Sequence, residues 1–160
     1  MAGWQDVAVI VGGSAGALIG ALFVAVSVNI DVIGRSVELR NRAGQTLVLF
    51  GGPLTVSILL AVPDQPIAAL GGELVAVAVL AGIGATVLDR RARREPHATA
   101  LGHVLEVATP NAVAAGLTGA AGVVLLLGLK AGLFVLIPAF IASLIGGAAN
   151  AWLLLTRIAR

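Results

Sequence analysis

The chain has 160 residues, 59% hydrophobic and only 11% charged, with a mean hydropathy of +1.05. A water-soluble domain carries about 25% charged residues, so too little polar surface remains here to coat a core in water, and hydrocarbon is the expected solvent. The net charge of +2 does not point to nucleic acid, because the arginines fall in short clusters between long apolar runs rather than along one basic face.

A membrane span needs about 20 apolar residues to cross roughly 30 Å of hydrocarbon. Five such runs occur, which predicts an all-α, polytopic transmembrane helix bundle forming a single domain over residues 1–160. The first span covers about 7–28. The opening Met1-Ala2-Gly3-Trp4-Gln5-Asp6 lacks a positive n-region, so this run is expected to be retained rather than cleaved. The second, about 46–62, contains Pro53 after Gly51 and Gly52, and the missing donor at Pro53 should bend the helix. The third covers about 67–88. The segment Ala98 to Ala108 is too polar to span. Its Leu101, Val104, Leu105 and Ala108 follow helical spacing, which fits a short amphipathic helix in the headgroup layer or a structured loop. The fourth span, about 110–127, is expected to start with Thr109 as N-cap and Pro110 at the first helical position. Gly128, Lys130 and Gly132 mark a tight hairpin into the fifth span, about 131–156, where Pro138 is a second expected bend.

With five spans, Arg35, Arg40, Arg42, Arg90, Arg91, Arg93, Arg94, Arg157 and Arg160 all collect on one side. Lys130, Asp6 and Asp64 collect on the other. Lysine and arginine accumulate on the cytoplasmic side, so the N-terminus is expected outside and the C-terminus inside, in the cell's inner (plasma) membrane. The run Arg90-Arg91-Ala92-Arg93-Arg94 would attract anionic headgroups at about 1 kcal/mol per basic residue, or serve only as a topology anchor.

Lipid provides no hydrophobic push between helices, so small residues that allow close approach carry the packing. Span one has Gly12, Gly16 and Gly20 beside Gly13, Ala17 and Ala21. Span three has Ala78, Gly82 and Ala85; span four has Ala112, Gly116, Gly119 and Ala120; span five has Gly146 and Gly147. A tight, self-associating bundle is expected, a homo-oligomer or the partner of another membrane protein.

Glu73 is the most informative polar residue. It lies about six residues into span three, roughly 9 Å below the outer boundary at 1.5 Å per residue. A carboxylate at that depth should face protein or water and find partners. Ser57, Thr55 and Ser14 fall at similar depth, and the four form a candidate intramembrane polar site. One reading is a proton or cation site, the other a hydrogen-bonded carboxyl that fixes packing. A second group near the inner boundary comprises Asn29, Glu106, Asn111 and Asn150, readable as interhelical hydrogen bonding or as the lining of an inner vestibule.

Gly12-Gly13-Ser14-Ala15-Gly16 matches the letters of a nucleophile elbow and is similar to the Gly-x-Ser-Gly of rhomboid proteases. An activated serine needs a base within hydrogen-bond reach. Both histidines, His97 and His103, fall on the opposite side under this topology, so Ser14 is expected to be a packing residue. The six-residue spacing of the histidines, without a third ligand, fits solvated loop positions better than a metal pair. With no cysteine, thiolate chemistry is excluded as well. No catalytic, metal or cofactor constellation is expected.

Three stretches carry a resemblance: Ala21-Leu22-Phe23-Val24-Ala25-Val26-Ser27-Val28-Asn29-Ile30, then Val62-Pro63-Asp64-Gln65-Pro66, and Gly146-Gly147-Ala148-Ala149-Asn150-Ala151-Trp152. Together they resemble an uncharacterised family of small multi-span integral membrane proteins common in actinobacteria. Arginine in excess of lysine, with abundant alanine, glycine and valine, resembles the composition of GC-rich genomes. The resemblance implies topology and no catalytic residue. Two functional readings follow: a non-enzymatic, self-associating bundle or accessory membrane subunit, and alternatively a small oligomeric channel or transporter with Glu73 in its pathway.

Overall fold

The computed structural model describes residues 3–92 and 109–158, and all of their regular structure is helical. The helices are α1 (Trp4–Val28), α2 (Ile30–Arg35), α3 (Val37–Ala61), α4 (Ile67–Ala92), α5 (Pro110–Leu126) and α6 (Gly132–Ile158). Among the described residues four helices, α1, α3, α4 and α6, are long and apolar enough to cross a membrane. The fifth apolar helix, α5, has 17 residues. At 1.5 Å per residue it is about 25 Å long, somewhat less than the ~30 Å of hydrocarbon.

Helices α3, α4, α5 and α6 close into a ring in which each packs on the next. Helix α1 lies outside the ring, against α3 and the edge of α6. One core cluster joins Ala8, Val56, Leu60, Leu70, Leu74, Leu125, Leu133 and Leu136, and so gathers the start of α1, the end of α3, the start of α4, the end of α5 and the start of α6. Trp4 meets Phe134 edge-on at 5.6 Å between ring centroids at that same end. A smaller cluster at the other end joins Leu22, Ile33, Leu39 and Leu154. Asp6, Asp64 and Lys130 therefore share the first end, and Arg35, Arg40 and Arg42 share the second with backbone positions 90, 91 and 157. Large apolar side chains point outward along the bundle, including Val9, Phe23 and Val24 on α1, Leu80 on α4, and Ile145 and Trp152 on α6. Water would penalise such a surface and lipid would not, an architecture consistent with a membrane protein.

The connection after the first apolar run is more helical than its polarity suggests. Asn29 ends α1 and donates from Nδ2 to the Ala25 carbonyl at 2.9 Å, and the six-residue α2 follows. Ser36 then caps α3, its Oγ accepting from the Leu39 N–H at 3.3 Å, with Glu38 in the first turn where the helix dipole favours a negative charge. Glu38 also pairs with Arg42 one turn on, at 3.3 Å. These local signals start α3 at Val37, nine residues ahead of the apolar run at Thr46. Thr109 caps α5 in the same manner, accepting from the Ala112 N–H at 3.3 Å, with Pro110 in the first turn. Gly128 supplies the left-handed turn (φ 80°) that reverses the chain between α5 and α6.

Helices α4 and α5 cross closely. A Cβ at Gly122 would stand 2.7 Å from the Gly71 carbonyl oxygen, and one at Gly71 would stand 2.9 Å from the Gly122 oxygen. Two glycines back to back let the main chains touch. Gly119 meets Ala78 in the next turn of the same seam, Gly146 faces Pro110, and Gly147 faces the Phe50 ring. Gly12 faces Ser57 of α3, but Gly13, Gly16 and Gly20 of α1, Gly82 of α4 and Gly116 of α5 face open space. The interior thus takes up only part of the small-residue pattern.

The amphipathic segment Ala98 to Ala108, together with Arg93, Arg94, His97, His103, Glu106 and Arg160, lies outside the described residues.

Candidate functional site

A partly open cavity lies between the four helices of the ring. Its wall comprises Val48, Leu49, Gly52, Pro53 and Val56 of α3, Val77, Ala78 and Ala81 of α4, Asn111, Ala114, Ala115 and Thr118 of α5, and Ala139, Phe140 and Ser143 of α6. The cause is local to the sequence. Pro53 cannot donate to the carbonyl four residues earlier and its ring crowds that carbonyl. Opposite it, alanine predominates on α4 and α5, so side chains of the facing helices do not fill the gap.

Three polar side chains line this otherwise apolar wall. Ser143 is 3% exposed, and its hydroxyl donates to the carbonyl of Leu49 on α3. Leu49 is the residue whose carbonyl Pro53 would have served had it carried an N–H, since helix hydrogen bonds run from i to i−4. A hydroxyl on α6 thereby completes the backbone of α3 across the interface. Thr118 turns its hydroxyl back onto the Ala114 carbonyl at 2.8 Å. Asn111, 8% exposed, sits in the first turn of α5, and its Oδ1 has no protein partner.

Glu73 lies elsewhere. It is half-buried in the second turn of α4 and accepts a hydrogen bond from Nε2 of Gln65, in the connection from α3. It is not part of the cavity wall. Ser57 is buried, its Oγ lacks a protein partner, and its Cβ side faces Gly12 across the α1–α3 contact. Thr55 and Ser14 are exposed and bond back to their own helices, Thr55 to the Gly51 carbonyl at 2.9 Å and Ser14 to the Ile10 carbonyl at 2.8 Å. No hydrogen bond joins these four residues to one another among the described residues.

Of the inner group, Asn29 closes α1, Asn111 lies in the cavity wall and Asn150 is half-buried on α6. Asn41 on α3 is buried with its Nδ2 unpartnered by protein, in a stretch that the apolar runs leave out. Arg90 and Arg91 fall in the last turn of α4.

The polar residues that sequence reasoning missed are Gln65, Thr118 and Ser143. A signal for Ser143 does exist. Pro53 inside a helix announces an orphan carbonyl at Leu49, and Ser143 is the one hydroxyl in the middle of α6. Nothing in the sequence alone says which helix faces that carbonyl. Compared with family models, curated proteins and solved structures, the chain matches none.

Proposed function

We propose that the chain is a non-enzymatic, multi-pass protein of the inner (plasma) membrane, of the kind its resemblance to small actinobacterial membrane proteins implies. All five apolar helices would cross the bilayer, with the N-terminus outside and the arginine-bearing end in the cytoplasm. The bundle associates with copies of itself, or with a partner membrane protein, through α1. The observation that carries this reading is how the small residues divide. The glycines of α6 and the Gly71–Gly122 crossing are used within the protomer, whereas Gly13, Ala17, Gly20 and Ala21 of α1 are exposed along one stripe. Such a stripe lets a second helix approach closely in lipid.

The channel reading has less support. Glu73 is bonded by Gln65 near one end of the bundle, and the cavity between the ring helices carries no ionisable side chain among its wall residues.

The absence of native cysteine makes the test direct. Single cysteines at Ala17→Cys on α1 and Ala76→Cys on the exposed side of α4 are oxidised in liposomes. Disulfide dimers from the first and not the second are expected. Equal cross-linking at both positions would sink the assignment to α1, and a purely monomeric protein by native mass spectrometry would sink self-association and leave only the partner-protein form of the reading. Cysteines placed at 35, 91 and 157 should all react with an impermeant thiol reagent from the same side of the bilayer.

A further inference from the structure

We infer that the cavity between α3, α4, α5 and α6 is a binding site for one or two water molecules, held by Asn111, Ser143 and Thr118. The inference is independent of whether the protein self-associates. The cavity leaves about 30 Å³ in which the centre of a water molecule can move, and one water requires roughly 10–15 Å³ on that measure. Size alone does not make a cavity wet, since an apolar one of this kind stays dry. The polar inventory decides it.

Ser143 and Thr118 spend their hydroxyl protons on the Leu49 and Ala114 carbonyls. Each oxygen keeps acceptor capacity only. Asn111 Oδ1 is a further buried acceptor without a protein partner. An occupant must therefore donate hydrogen bonds. Turning the Asn111 carboxamide over places a donor where the acceptor was, so a molecule able both to donate and to accept satisfies either arrangement. The wall contains no charged side chain, and an ion taken from water into such surroundings without a counter-charge is strongly disfavoured. A small neutral molecule with two donors and two acceptors meets every condition, and water is that molecule. It would tie the first turn of α5 to Ser143 of α6.

The full chain in detergent micelles, labelled with ¹⁵N, tests this. The side-chain amide protons of Asn111, assigned by their disappearance in Asn111→Asp, should show a nuclear Overhauser cross-peak to water with the sign of a long-lived complex. Xenon under pressure should produce no saturable shift of the Ala114, Ala115 and Ala139 signals, because water already holds the site. Absence of the water cross-peak in the wild type overturns the proposal. Saturable xenon shifts at those three alanines would identify a dry apolar cavity in its place.

Discussion

Replacing Ser143 by alanine removes one oxygen atom, yet it should cost more than an ordinary hydroxyl deletion. The Leu49 carbonyl lacks its regular helical donor because residue 53 is proline, and the Ser143 hydroxyl bonds it. Interhelical hydrogen bonds in membranes average about 0.6 kcal/mol and reach about 1.7. Leaving a buried acceptor unsatisfied costs about 1–3 kcal/mol. Both Ser143 and Leu49 are almost wholly buried, at 3% and 2% exposure, so Ser143→Ala should destabilise by about 1–2 kcal/mol. The second arm isolates the cause. Pro53→Ala returns a backbone N–H to position 53, which can serve the Leu49 carbonyl from within α3. In that background Ser143→Ala should cost only a few tenths of a kcal/mol. The coupling in a double-mutant cycle is then about 1 kcal/mol, or roughly fivefold in the unfolding equilibrium. Reversible unfolding in mixed micelles titrated with SDS, followed by Trp4 and Trp152 fluorescence, measures all four corners. If Ser143→Ala costs the same in both backgrounds, the substitution of a side-chain donor for the missing proline N–H is wrong.

The same assay should separate glycines that look alike in the sequence. Gly122→Ala places a methyl 2.7 Å from the Gly71 carbonyl oxygen, so α4 and α5 must part, at a cost of about 1–3 kcal/mol. Gly116→Ala, with open space around it, should be neutral or stabilising by up to ~1 kcal/mol; the reverse order would refute the assigned seam. Thr109→Ala removes the cap on α5 and should cost about 1 kcal/mol, with Thr109→Ser restoring most of it. Glu73→Gln keeps a hydrogen-bonding partner for Gln65, so proton and cation flux into proteoliposomes should match that of protein-free vesicles for wild type and variant alike. Wild-type flux abolished in the variant would return Glu73 to a conduction path.

The long apolar elements were legible because hydrocarbon imposes one requirement, an uninterrupted apolar run. The five runs anticipate α1, α3, α4, α5 and α6 and the turn at Gly128. Polar helix was harder to read. Val37 to Gln45 belongs to α3 through a serine cap and a Glu38–Arg42 pair, signals that carry no hydropathy. The grouping of Glu73 with Ser57, Thr55 and Ser14 rested on depth alone. Depth places residues at one level of the bundle but does not say which way each points. Ser14 and Thr55 turn out to the exposed surface, and Gln65, lying in a connection, provides the hydrogen bond to Glu73. Which glycines meet is likewise a matter of rotation about each helix axis. Gly16 and Gly119 both belong to small-residue patterns, yet only Gly119 meets a facing helix, at Ala78, and the Gly71–Gly122 contact lies outside those patterns.

The positions of the polar groups within the protomer bear on function. Its described ionisable residues lie toward the two ends, with Asp6, Asp64, Glu73 and Lys130 toward one and the described arginines, with Asp31, Glu38 and Asp89, toward the other. The middle offers hydroxyls and a carboxamide only. A cation crossing through a single protomer would have to leave Glu73 and pass a wall of Val, Ala, Phe and Pro with a few neutral acceptors, where no counter-charge offsets its loss of hydration. A path for ions therefore fits better between protomers than through one. Helix α1 is the element positioned to form such a boundary, because among the described long helices it is the one outside the ring and it leaves a stripe of glycine and alanine uncovered. The oligomeric state measured through α1 thus bears on both functional readings. A monomer would remove the boundary between copies and leave only a different membrane protein to cover the α1 stripe.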